Sequence, residues 1–162
     1  IHSKAFVGSV DVYKRQGLGC PAVQYLASAG VGAYMMVSMG ADAGYIGVVD
    51  ADTVERSNLA RQVLHTDARV GMSKAESVAQ AIEAYAARSY TSRQLNPHVH
   101  VEPIVELLSA ANACALVAAY DIVLDCSDNV MTRYLISDAA AAVGRVVVSG
   151  AAQGLDLSLI HI

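Results

Sequence analysis

Apolar positions along the chain alternate between short unbroken runs and longer stretches with helical spacing. "YIGVVD" (45–50), "DIVLDC" (121–126) and "RVVVSG" (145–150) are runs of the length and β-branched character that suit strands buried on both faces. "HVHVEPI" (98–104) alternates and predicts a further short strand. Between these lie four helical patterns. "CPAVQYLASAG" predicts a helix with Pro21 at its first position and Gly30 as its C-terminal cap. "SKAESVAQAIEAYAA" opens on Ser73 and Glu76, spaced as a capping box, so a helix should run from about Lys74 into the high 80s. "SAANACALVAAY" and "NVMTRYLISDAAAAVG", the latter closed by Gly144, complete the set. Strands alternating with helices predict an α/β fold: a doubly wound, mainly parallel, Rossmann-like sheet.

Composition narrows this reading. A chain of 162 residues suits one domain with a core of real size. Its 54% hydrophobic content is high, but much of the excess is Ala and Val, which suits tightly packed α/β layers. Residues 17–41 carry no charge and are long enough to span a bilayer, yet they include Pro21, Gln24, Ser28, Gly30 and Gly32 with no positive cluster after them. "AGVGA" reads better as a helix end turning into a strand, so no membrane association is expected. A net charge of -4 offers no basic face for nucleic acid. The cysteines, Cys20, Cys114 and Cys126, form no CxxC pair, so no zinc ligands are present and a reducing, cytoplasmic setting is expected. No cleavable apolar leader stands at the start of the sequence.

In such sheets ligands sit beyond the carboxyl ends of the strands. The residues there are Asp50 and Asp52, then Cys126 to Asn129, then Ser149 and Gly150. "GLGCP" places Gly17 and Gly19 before a helix, either as a phosphate-binding turn or as a mere tight turn. Asp50 can accept ribose hydroxyls or cap the "DADT" turn. Arg61 and Lys74 can neutralise charge on a phosphoryl group, or simply be solvated. Asp128 could hold magnesium, cap the next helix, or do both.

The conjunction of "GLGCPAVQYLASAGVG", "VVDADTVERSNLARQVLHTDARVGMSKAES", "LNPHV", "YDIVLDCSDNVMTRYLISDA" and "VVVSGAAQG" resembles the ThiF/MoeB family, the enzymes that activate ubiquitin-like and sulfur-carrier proteins. The resemblance covers residues 17 to about 154 in unbroken order. It implies ATP-dependent adenylation of a carrier protein's C-terminal glycine carboxylate, with pyrophosphate released and an acyl-adenylate left for a sulfur or cysteine nucleophile. By the same resemblance Gly17 and Gly19 belong to the phosphate turn and Asp50 to the ribose. Ser57, Asn58, Leu59, Ala60 and Arg61 line the triphosphate, with Asn58 and Arg61 its most direct contacts. Lys74 is the second cation, Asp128 the carboxylate beside Mg2+, and Asn129 its neighbour. The catalytic set is then Arg61, Lys74 and Asp128, the partner is a ubiquitin-like or sulfur-carrier protein, and a homodimer is common in the family.

The chain also departs from the family. Lys14, Arg15 and Gln16 stand where the first phosphate-turn glycines are expected, although "FVGSVDVY" can mimic the strand before them. Extra residues occur around "MVSMGADAG" and "RSYTSRQ". "LDLSLIHI" does not resemble the family's continuation after "VSGAA", and the nucleophilic cysteine and paired zinc ligands of many members are missing. Residues 1–16 and 155–162 are therefore expected to be atypical or non-native flanks of a partial adenylation domain, 17–154. Cys126, at the end of a buried strand, is expected to be structural rather than a thioester acceptor. Two rivals share parts of the pattern: an NAD-dependent Rossmann oxidoreductase, and a catalytically incomplete fragment that only binds nucleotide or partner.

Overall fold

A computed structural model of the chain describes residues 5–8, 18–29, 45–88, 99–153 and 156–161. In chain order the elements are β1 (Ala5–Gly8), α1 (Gly19–Ser28), β2 (Tyr45–Val49), α2 (Lys74–Arg88), β3 (His100–Ile104), α3 (Ala113–Ala118), β4 (Ile122–Asp125), α4 (Val130–Val143), β5 (Val146–Gln153) and β6 (Asp156–His161). The strands form one sheet in the order β3-β2-β1-β4-β5-β6. The pairings are parallel from β3 through β5, and β6 returns antiparallel to β5.

Strand order reverses between β1 and β4. Gly8, the last residue of β1, lies in register with Val49 on one side and Asp125 on the other. The chain ends of β2 and β4 therefore flank β1, about 10 Å apart at two strand spacings. That is the crevice where open α/β sheets bind ligands. The sheet extends to both sides of the 17–154 stretch, with residues 5–8 at its centre and 156–161 at its edge.

The predicted helices and strands form, with informative differences at their ends. α1 starts at Gly19, so Pro21 is its third residue, and Ala29 is its C-cap in a right-handed conformation. Gly17, Gly30, the "MVSMGADAG" insertion and, beyond Arg88 at the end of α2, the rest of "RSYTSRQ" lie outside the described residues. α2 begins at Lys74, and Ser73 Oγ accepts from the Glu76 amide at 3.5 Å, one half of the predicted capping box. α4 ends on Gly144, whose φ of 67° is the left-handed conformation that Gly adopts without a Cβ penalty. No helix among the described residues is long and apolar enough to cross a membrane.

Two apolar clusters cover the two faces. Cys20 and Val23 of α1 and Val78 and Ile82 of α2 pack on Ile46 and Val48. Val117 and Tyr120, with Ile136 and Ala140 of α4, pack on Val123 and Val147 from the other side. The period-two alternation of β2 sends Ile46 and Val48 to the first face and Val49 to the second.

Gly47 faces Tyr120. A Cβ there would lie 2.7 Å from Tyr120 Cε1 and closer still to the end of the ring. The missing side chain is the space in which that ring sits, so Gly47→Ala should overpack the second face and cost about 1–3 kcal/mol in urea unfolding. Tyr120→Leu in the Gly47→Ala background should recover part of that loss, as expected for two residues in contact. Strictly additive effects would show that the ring and the glycine do not share space.

Candidate functional site

The segment from β2 to α2 folds into a loop closed on itself at its base. Asp50 N–H donates to the Ile104 carbonyl at 3.1 Å, which fixes the strand's exit. Asp50 Oδ1 accepts from the Asp52 amide at 2.8 Å and turns the chain. Residues 52–54 then pair with 71–74 coming back. Lys74 N–H donates to Asp52 O at 2.9 Å, Val54 N–H to Met72 O at 2.8 Å and Gly71 N–H to Val54 O at 2.8 Å. Gly71, at φ 91°, makes the return turn possible. Across the same closure the buried Lys74 Nζ meets Asp52 Oδ2 at 3.0 Å.

"SNLARQVLH" is held inside this closure. A short 3-10 turn runs over Arg56–Asn58, and Asn58 Oδ1 accepts from the Glu55 amide at 2.9 Å. Asn58 is buried, and its carbonyl receives the amides of Arg61 and Gln62, both at 3.0 Å. Arg61 Nη1 donates to Ser57 O at 2.8 Å, which folds the guanidinium back along its own turn. Ser57 and Ala60 are exposed, while Leu59 and Arg61 are half-buried. At the far end His65 Nδ1 lies 2.9 Å from Ser77 Oγ of α2. Arg69 Nη1 donates to Leu64 O at 3.0 Å and Ser77 O at 3.2 Å. Asn58, Gln62 and His65, the polar residues that make this stretch unusual, all point inward and are buried.

The exit of β4 is braced by a network that sequence reasoning missed. Asp125 is buried, and its Oδ1 accepts from the Ser127 amide at 3.0 Å and from the Ser127 hydroxyl. Its Oδ2 accepts from Ser149 Oγ at 2.6 Å, which links β4 to β5. Arg133 of α4 donates to Ser127 O and, at 3.0 Å, to Gly150 O. Neither Asp125 nor Arg133 stands out in sequence, because their partners come from other elements. Asp128 is half-buried beyond this brace. The helix cap is its neighbour: Asn129 Oδ1 accepts from Met131 N–H at 2.9 Å, so the capping alternative for Asp128 is corrected.

The sequence-predicted residues thus divide into two groups at one sheet edge. Asp50, Ser57 to Arg61 and Lys74 belong to the closed loop after β2; Asp128 and Asn129 come after β4. Gly19, buried at the first turn of α1, approaches from the helix side, and Leu18 beside it packs 3.8 Å from the Cβ position of Gly150. Gly17 lies outside the described residues. Among the described residues no group of three or more His, Cys, Asp or Glu side chains is placed to hold a metal ion.

Burial sets the ionisation of two side chains here. The Cys126 thiol is pushed up to about 12, chiefly by burial and next by the Asp125 charge, so it stays a neutral thiol at physiological pH. His65 is lowered to about 4, first by burial and then by the charges of Lys74 and Arg69.

The ThiF family model matches residues 16–160. The chain belongs to the ThiF family. This ThiF domain is 49% identical over 140 residues to the adenylyltransferase and sulfurtransferase MOCS3 of Drosophila grimshawi, a match covering 86% of this chain and 26% of that protein. The Drosophila willistoni protein of the same name is 45% identical over 148 residues, covering 91% of this chain and 28% of its own. The chain spans well under half the length of these relatives. Among solved structures, E. coli tRNA N6-threonylcarbamoyladenosine dehydratase TcdA, in complex with AMP, superposes with a TM-score of 0.72 at 22% identity, over 95% of this chain and 53% of that one. E. coli MccB, solved with MccA-N7isoASN, gives 0.68 at 19% identity, over 91% and 35%. Both are likenesses of fold.

In this ThiF domain His65 makes folding pH-dependent. The folded state takes its proton only near pH 4, whereas an unfolded His takes it near 6.5. The stability gained from neutral His65 is therefore complete above that range and is lost as pH falls through it. At pH 5 the loss should reach about 2 kcal/mol, from 1.36 kcal/mol per unit. His65→Asn, which keeps a polar atom near the Nδ1 position, should flatten the difference between urea unfolding at pH 7 and pH 5. An unchanged slope in the variant would assign the pH dependence to other groups.

Proposed function

We propose that this domain catalyses ATP-dependent adenylation of the C-terminal glycine carboxylate of a ubiquitin-like or sulfur-carrier protein. A carboxylate oxygen attacks the α-phosphorus of ATP, the bond to the β-phosphate oxygen breaks, and pyrophosphate leaves with that electron pair. The observation that carries this reading is the loop after β2: it leaves the carboxyl end of a sheet strand, carries Asp50, Asn58, Arg61 and the buried Lys74, and is closed by backbone pairing and the Lys74–Asp52 pair. The names of the relatives, adenylyltransferases and sulfurtransferases, and a solved complex of TcdA with ATP support it.

Each role follows from donor chemistry. Asp50, directly after β2 at the carboxyl edge of the sheet, accepts ribose hydroxyls. Asn58, with Ser57, Leu59 and Ala60, shapes the turn against the phosphates. Arg61 and Lys74 offset the repulsion between two anionic reactants and stabilise the charge that develops as pyrophosphate departs. Asp128, half-buried after β4, is the carboxylate that the resemblance sets beside Mg2+, an ion that commonly takes one or two carboxylates and completes its shell with phosphate oxygens and water. When bound, Mg2+ supplies further charge neutralisation at the phosphates. Gly19, at the first turn of α1, lets the backbone approach the phosphates, and the resemblance assigns Gly17 to the same role. The nucleophile that later takes the acyl group is not Cys126, whose thiol is buried and neutral. The free cysteines suit a reducing, cytoplasmic setting, and a homodimer is the proposed assembly.

Calorimetry with ATP and with NAD tests the ligand class: binding of NAD in preference to ATP would favour a Rossmann oxidoreductase. Asp50→Ala should weaken ATP about ten- to a hundredfold while leaving pyrophosphate nearly unchanged, since only the nucleoside end loses bonds. Equal weakening of both would point to a damaged fold.

The transition-state role is tested by ATP–pyrophosphate exchange in a form of the protein extended to the length of its relatives. Arg61→Ala should lower the exchange rate on the order of a hundredfold or more with a much smaller change in KM for ATP. Arg61→Lys should rescue little, because a point charge does not replace a planar fork. A raised KM with an intact rate would make Arg61 a binding residue only.

A further inference from the structure

The opposite edge of the sheet carries a second cleft. About 390 Å3 opens between Tyr45, His100, Glu102, Ala119 and Tyr120, at the amino ends of β2 and β3. The strand register explains the arrangement. Tyr45 pairs with His100, and Gly47 pairs with Glu102. The Tyr45 and His100 rings meet edge to face, with centroids 4.8 Å apart and planes at 77°. Gly47 contributes no side chain, and the Tyr120 ring fills that space. From there Tyr120 Oη donates to Glu102 Oε2 at 3.0 Å.

The chemistry of these walls is one-sided. Aromatic rings favour a cation through their quadrupole, and a carboxylate favours it through its charge. Glu102 is exposed, and among the described residues no Lys or Arg lies within ion-pairing distance of it. Arg145, near the same end of the sheet, is engaged by Ala118 O at 3.1 Å and Asp121 Oδ1 at 3.4 Å. Tyr120 is held in place twice, by its seat on Gly47 and by Glu102, so the cleft is formed before any ligand arrives.

From these observations we infer that the cleft bounded by Tyr45, His100, Glu102 and Tyr120 binds an organic cation, a guanidinium or ammonium group on a flexible stem. Such a group comes either from a partner protein's Arg or Lys side chain or from a free amine. The site lies at the edge opposite the nucleotide loop and does not depend on the proposed reaction.

Calorimetry on the whole chain tests it with N-acetylarginine amide, its uncharged citrulline counterpart and agmatine. The arginine probe should bind saturably with a roughly millimolar Kd, and the citrulline probe at least about tenfold more weakly. Glu102→Gln removes the charge but keeps an acceptor for Tyr120, so it should weaken the arginine probe about tenfold with an unchanged Tm. Glu106→Gln, which alters an exposed acid outside the cleft, should leave binding unaltered. Saturating ATP should not displace the probe. Agmatine binding as tightly as N-acetylarginine amide marks a free amine as the ligand source; preference for the latter marks a protein side chain. Equal binding of the citrulline probe, equal losses in the two Glu variants, or no saturable binding would overturn the site.

Discussion

The loop after β2 is closed by the backbone pairing of residues 52–54 with 71–74 and, across the same base, by the ion pair of Lys74 Nζ with Asp52 Oδ2 at 3.0 Å. A buried ammonium without compensating partners would cost several kcal/mol, and Asp52 is one partner that offsets this cost. Asp52 in turn comes after Asp50 by a tight turn, and Asp50 is fixed to β3 by its amide. The sheet register is thereby transmitted to the first turn of α2. Everything between residues 52 and 74 is built across that link, including the Asn58 turn and the packing of His65 on Ser77.

A buried ring beside two cations raises a second requirement. Lys74 and Arg69 both act on His65, and the ring is buried between the loop and α2. A third positive charge there would repel its neighbours in a medium that screens poorly. Burial first, and then these two charges, keep the imidazole neutral at physiological pH, and it serves as a hydrogen-bonding spacer rather than as a charge. The same logic separates Asp125 from Asp128 at the exit of β4. Asp125 is consumed by Ser127 and Ser149 and secures the loop, whereas Asp128, three residues on, is half-buried. Burial and partners thus set the surroundings of two carboxylates a few residues apart.

Most of the fold was legible because it depends on periodicity. The buried runs at 45–50, 121–126 and 145–150 became β2, β4 and most of β5, and the Ser73–Glu76 spacing located the start of α2. β1 was less distinct, since "FVG" is short and Lys14 to Gln16 replace the glycines that usually come after it. The Asp125–Arg133 brace and the seat of Tyr120 on Gly47 were not legible at all. Both join residues distant in sequence and require the strand register before their meaning can be seen. Candidate site residues could be recognised in "SNLARQVLH" from the resemblance, but their orientation could not. Arg61 folded back onto Ser57 O and the inward burial of Asn58, Gln62 and His65 are properties of the turn.

The two edges of the sheet also differ in electrostatic character, and the difference has a structural origin. At the carboxyl edge, α2 begins with the cation Lys74 and the loop before it adds Arg61 and Arg69. Backbone N–H groups at the first turns of α1, α2 and α4 face the same way, so side chains and helix ends favour anions together. At the amino edge the strands start with Tyr45 and His100, and Glu102 stands exposed one pleat further on. Among the described residues no helix begins beside them, so aromatic faces and a carboxylate set the potential. Gly47 lies between these regions on β2. By leaving room for Tyr120, it lets the second apolar face and the amino-edge cleft share one ring, which makes the cleft as rigid as the core beneath it.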